Sequence, residues 1–99
     1  MRKIKHYVEE IEEEVEGAKR YAEKYVEEKA KGQTTLANRF REMAGDELKH
    51  ATYIHEMAVA EIEQISKVFK PPVEMEEKWE KAHKEFVEKV AWIKQMLAM

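Results

Sequence analysis

Glu47-Leu48-Lys49-His50 lies in the middle of a long amphipathic pattern. A carboxylate and an imidazole three residues apart share one face of a helix. This face is also the apolar one, because residues follow one another along it in steps of three and four: Leu36, Phe40, Met43, Glu47, His50, Ile54 and Met57. Burying a polar group without a partner costs roughly 2–7 kcal/mol, and burying a charge costs more. A metal ion held by Glu47 and His50 would remove that cost.

Turn-forming residues divide the chain around this stretch into three predicted helices. Gly32 ends the first helix, and Thr34-Thr35 can cap the second. Pro71-Pro72 ends the second helix, because proline lacks a backbone N–H and disfavours helix in the residue before it. The predicted ranges are about 3–30, 35–69 and 73–97.

The predicted fold is all-α, with an antiparallel helical hairpin and a shorter third helix. The short loop at Gly32 makes the first two helices antiparallel. A chain of 99 residues is enough for one domain, which we expect to cover 1–99. The third helix is too short to cover the hairpin. We therefore expect a second hairpin, related by a two-fold axis, to complete a four-helix bundle.

Composition limits the chemistry that the chain can perform. There is no Cys, so any metal site uses nitrogen and oxygen ligands, which suit Fe, Mn or Zn. The net charge is −3 with both signs interspersed, so we expect no nucleic-acid partner. No apolar run reaches about 18 residues, so we expect no membrane span. The segment Met1–His6 lacks an apolar signal region, which favours a cytoplasmic location.

Glu14 is a third charged residue on an apolar stripe, here that of the first helix. The stripe consists of Ile4, Tyr7, Ile11, Glu14, Ala18, Tyr21 and Tyr25. One hairpin thus offers Glu14 from one helix and Glu47 with His50 from the other. A two-fold axis doubles this to two single Glu residues and two Glu-x-x-His pairs, the ligand set described for ferritin-like di-iron carboxylate sites.

The segment Glu13-Glu14-Val15-Glu16-Gly17-Ala18-Lys19-Arg20-Tyr21, followed by Glu47-x-x-His50, resembles the rubrerythrin half-site of the ferritin-like superfamily. The shared features are a metal-binding Glu, a small residue three positions later, a Tyr seven positions later and a Glu-x-x-His 33 positions later. With two long helices and a shorter third, the chain most resembles the encapsulated ferritins and related two-helix proteins. A lone Glu-x-x-His is a weak motif, and the upstream Glu at this spacing makes it more specific.

The resemblance implies a ferroxidase that is completed by dimerisation. Glu14, Glu47 and His50 would be its metal ligands and catalytic residues, holding two Fe ions per dimer interface, with Mn or Zn as alternatives. Glu13 and Glu16 would match acidic residues of a metal entry site. The homodimer could assemble into a ring or enter an encapsulin shell, although the C-terminal segment 92–99 does not resemble a targeting peptide.

Each of these sites has a plainer interpretation. Glu47 and His50 could form a structural polar pair, in a non-enzymatic helical oligomerisation or adaptor protein. Glu13 and Glu16 fit a solvated face better than a ligand set. The second Glu-x-x-His, at Glu80-Lys81-Ala82-His83, makes His83 a weaker metal candidate, and a polar network is the better expectation for it. We expect His6 and His55 to lie at the surface.

Overall fold

The computed structural model describes residues 2–99, which form three α-helices and no strand. Helix α1 covers Arg2–Ala30, α2 covers Thr34–Val68 and α3 covers Val73–Leu97. The all-α class and the three helices are confirmed, and every helix end lies within one residue of its predicted position. None of the helices in 2–99 has an apolar stretch long enough to cross a membrane.

The turn between α1 and α2 depends on Gly32. Its φ of +78° is a backbone conformation that side chains with a Cβ rarely adopt. The N–H of Gln33 donates to the carbonyl of Glu28, and the N–H of Gly32 donates to that of Lys29, which is the Schellman arrangement. The predicted threonine cap is wrong: Thr34 is already helical, and Gln33 precedes α2 without a side-chain capping bond.

Small side chains pack α1 against α2. Four alanines recur at intervals of seven along α2, and each is at most 1% exposed: Ala37, Ala44, Ala51 and Ala58. On α1, Ala18 and Ala22 are fully buried. A seven-residue repeat keeps one face of a helix turned toward its neighbour, and alanine lets the two backbones approach closely. The hairpin is therefore fixed by small residues rather than by large apolar ones.

Helix α3 packs along one side of this hairpin, chiefly against α1. Ile93 and Met96 are buried in a core with Ile11 and Val15 of α1. At the far end, Arg41 of α2 donates its Nε–H to the Leu97 carbonyl, 3.1 Å away. The molecule is a rod of 55 × 17 × 17 Å.

The other side of the hairpin is open. A second series at intervals of seven runs along α2: Leu36, Met43, His50 and Met57. Its three apolar members are 40–48% exposed. Of the stripe residues predicted to be buried, Ile54 is buried within one chain. Phe40 and Glu47 are half-buried. Because α3 packs on the opposite side, nothing in residues 2–99 covers this face.

Candidate metal site

Glu14, Glu47 and His50 meet on the open face. Glu14 lies in the middle of α1, and Glu47 and His50 are one turn apart on α2. One ligand atom from each lies within 4.8 Å of the other two. The Nδ1 atom of His50 is 3.6 Å from Oε2 of Glu14. Ligands bound to a metal ion at about 2.0–2.2 Å each are at most about 4.4 Å apart, so small side-chain rotations bring all three onto one ion.

Gly17 makes room for the Glu47 carboxylate. It follows Glu14 by one helical turn and is buried, and its backbone is ordinary helix. A Cβ at this position would lie 3.4 Å from Oε2 of Glu47. Glycine inside a helix costs about 1 kcal/mol relative to alanine. Here the position faces the carboxylate, and a side chain larger than a methyl group would displace it.

The two carboxylates are poorly compensated. Oε2 of Glu14 is buried and has no hydrogen-bond partner within residues 2–99. With both carboxyls ionised, neither can donate a hydrogen bond to the other. The pKa of Glu47 is raised, chiefly because its protonated form can share a hydrogen bond with Glu14, and further by partial burial and by the charge of Glu14. His50 opposes this rise.

A divalent cation fits this set of donors. It would neutralise both carboxylates, coordinate the orphaned Glu14 oxygen and accept the lone pair of a neutral His50 nitrogen. Oxygen and imidazole ligands together suit Fe, Mn and Zn, and the absence of sulfur disfavours softer metals. The Glu14 side chain is 29% exposed and that of His50 is 56% exposed, so an ion could enter from the open face.

The weaker candidates lie elsewhere. Glu13 and Glu16 are exposed on α1 and outside the group of three. Glu80 is exposed on α3, and His83 is half-buried on the side of the hairpin that α3 covers. No second set of three clustered metal-binding groups occurs within residues 2–99.

The expected surface position of His55 is wrong. Its Nε2 lies 2.8 Å from Nδ1 of His83, so His83 does take part in a polar contact. The His55 ring is half-buried between Trp79 and Phe86, with ring centroids 5.2 and 4.7 Å away. Sequence periodicity gave no signal for this pair, because only the docking of α3 brings the two rings together. His6 is exposed, as predicted.

Comparison of the chain with protein-family models, with curated proteins and with solved structures finds no match. The likeness to ferritin-like proteins therefore depends on the sequence motif around Glu14, Glu47 and His50 and on the three-helix pattern.

Proposed function

We propose that Glu14, Glu47 and His50 bind a divalent transition-metal ion, and that two chains join their open faces into a di-iron centre that oxidises Fe²⁺. The observation that carries this proposal is the meeting of three ligand atoms from two helices within 4.8 Å. The orphaned Glu14 oxygen beside them supports a cation over a purely structural polar pair.

The open face supports the dimer. One chain offers each ion only three protein ligands and leaves His50 largely in solvent. A second copy facing the first would bring two more carboxylates and a second imidazole. The four carboxylates of such a pair balance the charge of two divalent ions. The same contact would bury Leu36, Met43 and Met57, which are otherwise exposed apolar side chains.

The chain's own residues give the site its chemistry. Anionic oxygen ligands stabilise Fe³⁺ more than Fe²⁺, so Glu14 and Glu47 favour loss of an electron. His50 must be neutral to act as a ligand. Gly17 leaves the Glu47 carboxylate in place beside α1. Two Fe²⁺ ions per dimer, as substrate, would supply two electrons, which with two protons reduce O₂ to hydrogen peroxide or hydrogen peroxide to water.

A second candidate function is a non-enzymatic oligomerisation or adaptor protein. The exposed series Leu36, Met43 and Met57 favours it, because such a face drives assembly whether or not a metal is bound. In that protein, the site would hold a structural metal or a simple Glu–His pair.

Anaerobic titration of the metal-free protein with Fe²⁺, followed by exposure to air, separates the two functions. We expect binding to saturate at one Fe per chain, and oxidation, followed by ultraviolet absorbance, to exceed the rate of free Fe²⁺ in the same buffer. Zn²⁺ added first should compete for the site and suppress oxidation. An adaptor would dimerise, yet oxidation would proceed at the buffer rate with or without Zn²⁺.

A further inference from the structure

The proposed metal centre does not use the contact between His55 and His83. The two rings meet where α1, α2 and α3 come together, on the side of the hairpin opposite the open face. His55 stacks on Phe86, with an angle of 13° between the ring planes, and also packs against Trp79. The His55 and His83 nitrogens are 2.8 Å apart, which is hydrogen-bond distance.

This contact limits how many protons the pair can hold. A hydrogen bond between two imidazole nitrogens needs one N–H between them, so the accepting nitrogen must be unprotonated. If both rings are protonated, both facing nitrogens carry hydrogens and both rings carry positive charge. The hydrogen bond is then replaced by repulsion between like charges at close range.

The surroundings offer little relief for a second charge on His55, whereas His83 also lines an open groove at the surface of α3. The cavity beside the rings is about 20 Å³, which is room for roughly one water molecule. The charged groups nearby are Glu12 on α1, Glu56 on α2 and six residues of α3: Glu80, Lys81, Lys84, Glu85, Glu88 and Lys89. Within residues 2–99, none of these carboxylates forms an ion pair with either ring. The apolar remainder of the wall comes from Val8, Ile11, Val15 and Phe86.

We propose that His55 and His83 form a proton-sensitive latch, which strengthens the attachment of α3 to the hairpin while the pair carries at most one positive charge and weakens it when both rings are protonated. α3 packs chiefly on α1, so its attachment to α2 depends on a few contacts, of which this is one. The latch does not depend on the proposed metal function.

The direction of the pH effect follows from His55. Burial, and then the positive charge of His83, lower the pKa of His55, while Glu56 opposes them. A ring whose pKa is lowered in the docked state contributes full stability above the pKa of a free imidazole, near ~6.5. That contribution is lost as the pH falls below this value, because the released ring binds a proton that the docked ring resists.

Hydrogen exchange on the full chain tests the latch, with amide protection read separately for α3 and for the α1–α2 hairpin. Between about pH 6.5 and pH 5, we expect protection of α3 to fall up to about tenfold per pH unit for each proton taken up, after correction for intrinsic exchange. Protection in the hairpin should change less. Equal loss in all three helices, or no loss in α3, would overturn the proposal.

The matched variant combines His55→Gln with His83→Asn, which keeps hydrogen-bonding atoms near the positions of Nε2 and Nδ1 but cannot titrate. We expect its α3 protection to be independent of pH over this range. The control is His6→Gln, which removes an exposed histidine and should leave the pH response of α3 unchanged. A double variant that keeps the wild-type pH response would refute the latch.

A titration of the wild-type protein keeps the proposal testable even if the double variant fails to fold. The carbon-bound imidazole protons of His55, followed by NMR, should titrate below the value of a free imidazole, near ~6.5. The proposal fails if His55 titrates at or above the free imidazole value.

Discussion

Both sides of the α1–α2 hairpin carry polar side chains, but α3 covers only one of the two sides. On the covered side, His55 and His83 face each other and are enclosed by aromatic rings of α3. On the open side, Glu14 and Glu47 face each other without a donor between them, beside exposed apolar residues. The facing nitrogens of His55 and His83 have each other as hydrogen-bond partners. The buried Oε2 atom of Glu14 has no hydrogen-bond partner within residues 2–99.

This difference favours a structural role for the His55–His83 pair and supports the proposed metal-binding role of Glu14 and Glu47. Imidazole can donate at one nitrogen and accept at the other, so two neutral rings form a complete pair. Two ionised carboxylates only accept hydrogen bonds, and they repel each other. A buried carboxylate oxygen without a hydrogen-bond partner, next to an uncovered apolar surface, supports the proposal of a bound cation and a second chain.

The largest effect should come from removing a ligand on the open side. Glu14→Ala, Glu47→Ala and His50→Ala should each lower metal affinity by more than about 100-fold, since changes to groups outside the ligand set alone cost 10–100-fold. Each should also abolish Fe²⁺ oxidation, because a two-fold site loses the ligand twice. Isothermal titration and the absorbance assay would measure both effects.

The controls for these variants lie on α3. Glu80→Ala and His83→Ala remove the second Glu-x-x-His and should leave metal affinity and oxidation near wild type, although His83→Ala should lower stability. If Glu80 and His83 prove essential and Glu14 dispensable, the metal site is built with α3 and the proposed geometry is wrong.

The next effect concerns assembly. Met57→Lys places a charge on the open face, where the native side chain is 48% exposed, and should shift the protein from dimer to monomer. Val87→Lys is the matched control, because Val87 is 50% exposed on α3. Sedimentation velocity, with and without bound metal, measures the oligomeric state. Metal should favour the dimer, because the proposed site would be complete only when two chains meet. A stable wild-type monomer under both conditions would contradict the model.

Much of this fold could be predicted from local signals. Gly32 and Pro71-Pro72 end helices for reasons that do not depend on tertiary packing, which is why the helix ends agree so closely. The grouping of Glu14 with Glu47 and His50 needed only helical periodicity and an antiparallel hairpin. The structure brings these three residues together, as the sequence predicted.

The parts that sequence reasoning missed depend on packing between helices. Ala37, Ala44, Ala51 and Ala58 repeat visibly in the sequence, but alanine is common on every face of a helix, so the repeat alone does not identify them as the contact with α1. The His55–His83 pair left no such signal, because its formation depends on how α3 is rotated against α2. The dimer was predicted from the sequence, and it stays a prediction because one chain cannot test it.

A third, intermediate effect tests the alanine contact. Ala51→Leu inserts a larger side chain at a fully buried position between α1 and α2, and should cost about 1–3 kcal/mol of unfolding free energy through overpacking. Ala60→Leu is the control, since Ala60 is exposed on the same helix and leucine is also a good helix former. Urea unfolding followed by circular dichroism compares the two. Equal stability of both variants would show that the hairpin has spare room at Ala51.

The smallest effect is electrostatic and concerns the metal-free protein. The raised pKa of Glu47 means that the folded state holds its proton more tightly than the unfolded chain does. The resulting stability is complete below the ordinary carboxyl value, near ~4.3, and is lost as the pH rises through the raised value. Glu47→Gln mimics the protonated form at every pH. With EDTA present, it should therefore stabilise the protein at neutral pH by roughly 0.2–1 kcal/mol, the range of solvent-screened charge interactions.

The pH dependence of this gain distinguishes it from a general effect of removing a charge. The advantage of Glu47→Gln over wild type should shrink as the pH falls toward about 4, because wild-type Glu47 then becomes protonated as well. Glu13→Gln removes an exposed carboxylate of α1 outside the group and should leave stability unchanged within error. With saturating metal, the wild-type protein should instead be more stable than Glu47→Gln, since glutamine is a poorer ligand than a carboxylate. If Glu47→Gln destabilises the metal-free protein at neutral pH, the two carboxylates do not repel each other, and the physical case for a bound cation loses its main support.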